Sequence, residues 1–271
     1  LADDETRALW DDLRLGYTEA AGHPLLRAEI ASLYAGLATE EVLVCAGAEE
    51  GIYLLLTALL GPGDHAIVVW PAYQSLDAVG RAAGAEVSRH ELREADGWAL
   101  DVERLVANFR PSTRLVIVNA PHNPTGMLPT HAEWAALVAA CERAGVRLVA
   151  DEVYRFLEHS PELRLPAGAE SGERNVSIGV MSKSFAMAGL RIGWLATRDR
   201  ALLARVAALK DYTTICSAAP SELLSLIALR ARERVLARSL GIVRSNLALL
   251  DPFFARDRKS TRLNSSHVAL S

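Results

Sequence analysis

Residues 176–197 read VSIGVMSKSFAMAGLRIGWLAT, and the interpretation of this stretch decides the fold. The β-branched, apolar run at 176–180 predicts a strand covered on both faces, since such a strand needs no polar alternation. Lys183 falls just past the point where that strand would end. Arg191 comes eight residues later, after a small-residue turn containing Gly189, and opens a second strand-like run at 192–197. A lysine among small and apolar neighbours is expected to be desolvated, which disfavours the ammonium and leaves a nucleophilic amine. A nearby arginine suits a phosphate, which its planar fork grips through two parallel hydrogen bonds. An amine that forms a Schiff base beside a phosphate clamp points to pyridoxal 5'-phosphate (PLP). Read alone, the pair has a plain alternative, a solvated lysine at a loop edge and an arginine lying along the surface. The rest of the chain decides.

Working outward, short β-branched runs alternate with longer helical patterns. Candidate strands lie at 42–45, 65–69, 86–92, 115–119, 147–151, 176–180 and 192–197. Helical patterns at 25–34, 49–60, 74–83, 101–108 and 130–144 separate them, and glycine or proline follows where several should stop (Gly61-Pro62-Gly63, Gly84, Pro111, Gly145). Three more helices are expected at 199–210, 221–232 and 235–254. This alternation predicts an α/β fold, a three-layer αβα arrangement around a mainly parallel seven-stranded sheet. The expected division is a large domain over 1–245, the start of a small-domain helix at 246–256, and a tail at 257–271. That tail (DRKSTRLNSSHVALS) has no clear period and resembles translated adaptor sequence or a disordered extension.

Composition narrows the function. The chain has 271 residues, 51% hydrophobic and 23% charged, the balance of a soluble globular protein. A net charge of −4 gives no reason to expect a nucleic-acid partner. No apolar run approaches the ~20 residues that cross a bilayer, so no membrane partner is expected. The three cysteines, Cys45, Cys141 and Cys216, lie far apart without a CxxC spacing. A thiolate metal site is therefore not expected, and a cytoplasmic location fits. Leu1 starts the chain without a methionine, so the N-terminal segment is expected to be truncated.

In open α/β sheets, ligands bind at the carboxyl ends of strands. After 42–45 come Gly47, Ala48 and Glu49 at a helix start, where free amides and a glycine can seat a phosphate. After 65–69 comes Tyr73, whose ring could cover a planar ligand or simply pack. After 115–119 comes Asn123-Pro124-Thr125-Gly126, a rigid turn whose Asn123 can aim amide donors at a ring oxygen or close an Asx-turn. After 147–151 come Asp151 and Tyr154. A carboxylate at a buried strand end needs a cation, which could be a protonated pyridine nitrogen or a structural ion-pair partner.

Asn-Pro-Thr-Gly, then Asp-x-x-Tyr, then Ser182-Lys183, then Gly-Leu-Arg-Ile-Gly, in that order, resembles the class I/II aminotransferase family, fold type I PLP enzymes similar to aspartate aminotransferase. The resemblance runs from about Tyr17 to Phe254. It implies catalytic roles for Lys183, Asp151 and Tyr154. Lys183 would carry the Schiff base and shuttle the substrate proton, Asp151 would bind the pyridine nitrogen, and Asn123 and Tyr154 would contact the ring oxygen. Tyr73 would stack on the ring, while Arg191, Ser182 and the amides of Gly47, Ala48 and Glu49 would hold the phosphate. Tyr17, in Tyr-x-x-x-x-Gly, would reach the phosphate of a neighbouring subunit, implying a homodimer; packing before a helix is the other reading. The implied reaction moves an amino group between an amino acid and a 2-oxo acid, with no metal.

Three departures accompany the resemblance. Val180 stands where the family often has a serine. Glu49 replaces a neutral residue, so its side chain is expected to turn away from the phosphate. The small C-terminal domain, with its arginine for the substrate carboxylate, is expected to be missing. Alternatives left open are a PLP-dependent lyase, cyclase or decarboxylase on the same scaffold, a PLP-sensing regulator, and an inactive fragment.

Overall fold

The computed structural model describes residues 2–256; the tail expected at 257–271 lies outside the described residues. Strands β1 (Val42–Cys45), β2 (His65–Trp70), β3 (Glu86–Glu91), β4 (Thr113–Asn119), β5 (Arg147–Asp151), β6 (Val176–Val180) and β7 (Gly193–Ala196) form one seven-stranded sheet in the order β1-β7-β6-β5-β4-β2-β3. Neighbouring pairs from β3 to β6 are parallel, whereas β7 runs antiparallel to both β6 and β1. The reversal has a local cause. Residues 181–192 between β6 and β7 contain no α-helix to carry the chain back across a face of the sheet, so β7 returns alongside β6.

The sheet is covered on both faces, which explains its unbroken apolar strands. Along β2, Ala66 and Val68 pack towards α3 (Gly47–Leu59) and α4 (Gln74–Ala82), with α7 (Arg200–Lys210) beside them. Ile67 and Val69 point the other way, to the layer holding α5 (Val102–Val106) and α6 (His131–Ala144). At the β1–β7 end that second layer continues with α2 (Pro24–Ala31) and α8 (Ala219–Arg230), packed on Val42, Val44 and Trp194. Trp194 lies flat across Gly179 of β6 and donates its indole N–H to the Tyr34 hydroxyl at 2.8 Å.

Several elements differ from the sequence reading. A helix at Asp4–Asp11 was not expected; Asp3 caps it by accepting from the Thr6 amide at 2.8 Å. The helix expected at 101–108 shrinks to Val102–Val106. The penultimate helix starts at Ala219 rather than 221, with Pro220 in its first turn, where a missing N–H costs nothing. The last helix runs from Arg232 to Arg256 and includes Pro252.

Candidate active site

Four chain segments converge at the carboxyl edge of the sheet, and each is fixed by its own hydrogen bonds. The first is the turn from β1 into α3. Gly47 has φ +83°, a left-handed conformation that side chains disfavour. Behind it, Glu50 Oε2 accepts from the Ala46 amide at 2.6 Å, while Oε1 accepts from the Thr213 and Thr214 hydroxyls at 2.6 and 2.7 Å. That carboxylate ties the turn to the segment after α7, and these bonds hold it below the usual carboxylate range against the upward push of burial.

The second segment leaves β4. Asn119, in register with Asp151, donates its side-chain amide to the Asp151 carbonyl at 2.9 Å and accepts the Asn123 amide at 2.6 Å. The His122 ring and the Thr125 hydroxyl, 2.8 Å apart, brace the turn from inside. Asn119 is a site residue that sequence reasoning missed. Its signal was present: a buried polar residue closing an apolar strand.

The third segment carries Asp151 and Tyr154. Asp151 is 3% exposed, and burial pushes its carboxyl up to about 7. The Val153 amide, 3.3 Å from Oδ1, opposes that shift; the Glu49 charge adds to it and the Lys183 charge opposes it. Tyr154 is buried and its phenol is pushed up by burial first, then by the Asp151 and Tyr73 charges.

The fourth is the β6–β7 loop. Its neck is closed by Met181 N–H donating to Ile192 O at 3.0 Å and Met187 N–H to Met181 O at 2.9 Å. Lys183 and Arg191 stand on this one pinned loop, and the Lys183 ammonium lies 5.5 Å from the centre of the Tyr154 ring. Arg191 has φ +53° and is packed against Gly47. Neither cation forms a salt bridge among the described residues. The burial expected of Lys183 is not found: the residue is exposed, while its neighbours Ser184 and Phe185 are buried.

Together these segments enclose a cavity of about 270 Å³. Ala48, Glu49, Tyr73, Asn123, Asp151, Tyr154, Ser182, Lys183 and Arg191 all line it, with Asn119, Ile52, Val153, Val180 and Ala188 completing the wall. Val180 presents an apolar surface there, as its replacement of a serine implies. Gly47 lies behind Arg191 rather than on the wall. Tyr17 is not brought together with the others in this chain. It is 89% exposed, which excludes the reading that it packs before a helix. Its neighbour Thr18 is tethered to Ser217 O at 2.9 Å.

The donor set matches PLP. A carboxyl able to hold a proton near neutrality faces one end of the cavity, and an amine stands in the wall. At another end the Arg191 guanidinium stands beside the start of α3, whose first turn lines the wall through Ala48 and Glu49. Among the described residues no group of histidine, cysteine or carboxylate side chains is arranged to hold a metal ion.

Comparison with known proteins agrees with this geometry. The family description "aminotransferase class I and II" matches residues 2–238. Arginine–pyruvate transaminase AruH of Pseudomonas aeruginosa is 36% identical over 188 residues, covering 66% of this chain and 47% of that protein. The chain spans about half the length of the curated relatives it matches. Among solved structures, a PLP-dependent aminotransferase from Streptococcus suis 89-1591 superposes with a TM-score of 0.90 at 29% identity, covering 99% of this chain and 70% of that one. The PLP-dependent cyclase OrfR superposes with a TM-score of 0.85 at 33% identity, covering 94% and 67%.

Proposed function

The chain belongs to the class I and II aminotransferase family, and we propose that it binds PLP covalently at Lys183 and transfers an amino group between an amino acid and a 2-oxo acid. The observation that carries this reading is the convergence of Lys183, Arg191 and Asp151 on one cavity. When bound, the cofactor supplies an aldehyde for amine exchange and a ring that withdraws electrons from the substrate α-carbon.

The residues divide the work by their chemistry. Arg191, Ser182 and the amides of Ala48 and Glu49 would anchor the phosphate, with Gly47 shaping the turn behind Arg191, and anchoring converts a collision into a positioned encounter. Asp151, a buried carboxyl group with no cation paired to it among the described residues, would meet the ring nitrogen and, as the carboxylate, hold a proton on it. Asn123 and Tyr154 would hydrogen-bond the ring oxygen, and Tyr73 would cover the ring. Lys183, once freed by the substrate amine, would serve as the base that takes the proton from the α-carbon and gives it back at the cofactor's former aldehyde carbon; positioned proton transfer of this kind contributes ~10² to 10⁴-fold.

Residues 1–245 form the cofactor-binding domain in this reading, and 246–256, the second half of the helix Arg232–Arg256, start the small domain. Tyr17, almost fully solvent-facing, is free to reach the phosphate site of a second copy, which supports a homodimer with sites at the interface. The three unpaired cysteines fit a cytoplasmic setting.

The test is a half-reaction followed by absorbance. An amino donor should convert the bound cofactor to its amine form, and a 2-oxo acid should restore the aldehyde form. If none of the proteinogenic amino acids drives that cycle, the reading fails. The likeness to a cyclase supports a second reading. In that case the donor is consumed, the cofactor stays in its aldehyde form, and no 2-oxo acid appears.

A further inference from the structure

Four charged side chains line the cavity: Glu49, Asp151, Lys183 and Arg191. If the cavity holds PLP, three of them have a counterpart on it. Asp151 faces a ring nitrogen, Lys183 an aldehyde and Arg191 a phosphate. Glu49 has none. Nor does it form an ion pair with any lysine or arginine among the described residues; its recorded partner is the Ser75 hydroxyl, which donates to Oε2 at 3.1 Å.

That hydrogen bond is directional. Ser75 is 8% exposed and sits in the first turn of α4, two residues past Tyr73. It therefore holds the Glu49 carboxylate at the start of α4, beside the wall to which Tyr73 belongs. The carboxylate remains solvent-facing and close enough to Asp151 to act on its charge.

A helix dipole stabilises an acid in the first turn by about 0.3–1 kcal/mol, and α3 already has a second one in Glu50. A dipole gives no reason for an acid to be braced towards a cavity that also takes a phosphate, where like charges repel. A cation arriving with the substrate does give one. The two cations of the wall, Lys183 and Arg191, are matched to the aldehyde and the phosphate when the cofactor is bound, which leaves the amino donor as the source of a cation for Glu49.

We propose that Glu49 is a specificity residue: it selects amino acids whose side chain ends in a cation, guanidinium or ammonium, and Ser75 positions its carboxylate for that contact. This rests on the reading that the cavity binds PLP and an amino donor. A charge-assisted contact of this kind discriminates a cation from a neutral isostere because the carboxylate is left unpaired by the latter.

The experiment compares L-arginine with its neutral isostere L-citrulline, and L-lysine with L-norleucine, on the PLP-loaded full chain. Two readouts are taken, kcat/KM in the half-reaction and retention of labelled donor in equilibrium dialysis. Wild type should favour each cationic donor at least tenfold in both. Glu49→Gln should bring each ratio to within about twofold of unity, with cofactor content by absorbance no lower than wild type. Ser75→Ala should raise KM for arginine several-fold while leaving kcat within twofold. Equal handling of the pairs by wild type, or ratios unchanged in Glu49→Gln, overturns the proposal. If no donor yields a 2-oxo acid, the amino-transfer reading fails on its own and dialysis decides this one. Selective retention of the cationic donors, lost in Glu49→Gln, upholds it; equal or no retention overturns it.

Discussion

Arg191 and Gly47 fit together so closely that a Cβ added to Gly47 would lie 2.6 Å from Arg191 Nη2. The glycine is thus required twice, once by its positive φ and once by the guanidinium beside it. Gly47→Ala should cost about 1–3 kcal/mol of backbone strain and also push Arg191 from its place. PLP affinity, read by fluorescence titration, should fall at least tenfold, with the fold retained by circular dichroism. Unchanged affinity would show that the two residues do not share an anion.

Glu50 holds the same turn from behind, through Ala46 on one side and Thr213 and Thr214 on the other. Glu50→Ala leaves the Ala46 amide without its acceptor and unties the segment after α7. A loss of about 1–2 kcal/mol in urea unfolding is expected, together with weaker PLP binding. Glu50→Gln should restore part of both. A variant that binds PLP like wild type would sever the link between this brace and the cradle.

Gly179 lies under the Trp194 indole, where a Cβ would overlap the ring itself. Gly179→Ala must displace Trp194, breaking its bond to Tyr34 and opening the packing between β6 and β7. Overpacking of this type typically costs about 1–3 kcal/mol. Chemical denaturation should show a loss at the upper end of that range, and a midpoint equal to wild type would refute the packing described.

Burial raises the Asp151 carboxyl to about 7 from a reference of 3.8. Between those values the folded, cofactor-free chain binds more protons than the unfolded chain, so this group's contribution to stability falls as pH rises through that window. His90 and His122, pushed down to about 4 chiefly by burial, act in the opposite sense between about 4 and 6.5. The total slope therefore mixes both, and the variant isolates one. Relative to wild type, Asp151→Asn should gain stability as pH goes from 5 to 8, by an amount on the order of a few kcal/mol. Thermal melts at several pH values check this. A constant difference between the two proteins would mean that Asp151 is not desolvated.

Much of this was legible in the sequence, for identifiable reasons. The strands stood out because a sheet covered on both faces needs unbroken apolar runs, and 42–45, 147–151 and 176–180 were found to the residue. The loop between β6 and β7 was legible because two reactive side chains on one short connection cannot be far apart. Other features depended on contacts that sequence spacing does not encode. Glu50 meets Thr213 across 163 positions, so its brace was invisible. Asn119 was hidden inside a strand assignment. The helix at Asp4–Asp11 begins with two acids and buries only Thr6, so no apolar run marked it. Lys183 was misjudged because apolar neighbours in sequence bury themselves, not the residue between them.

The most direct test of the account is the identity of the lysine that carries the cofactor. Borohydride reduction of the PLP-loaded chain, followed by proteolysis and mass spectrometry, should place a single pyridoxyl mass on the peptide containing Lys183, with none on Lys210 and loss of the label in Lys183→Ala. Label on Lys210, or labelling that survives Lys183→Ala, would contradict it.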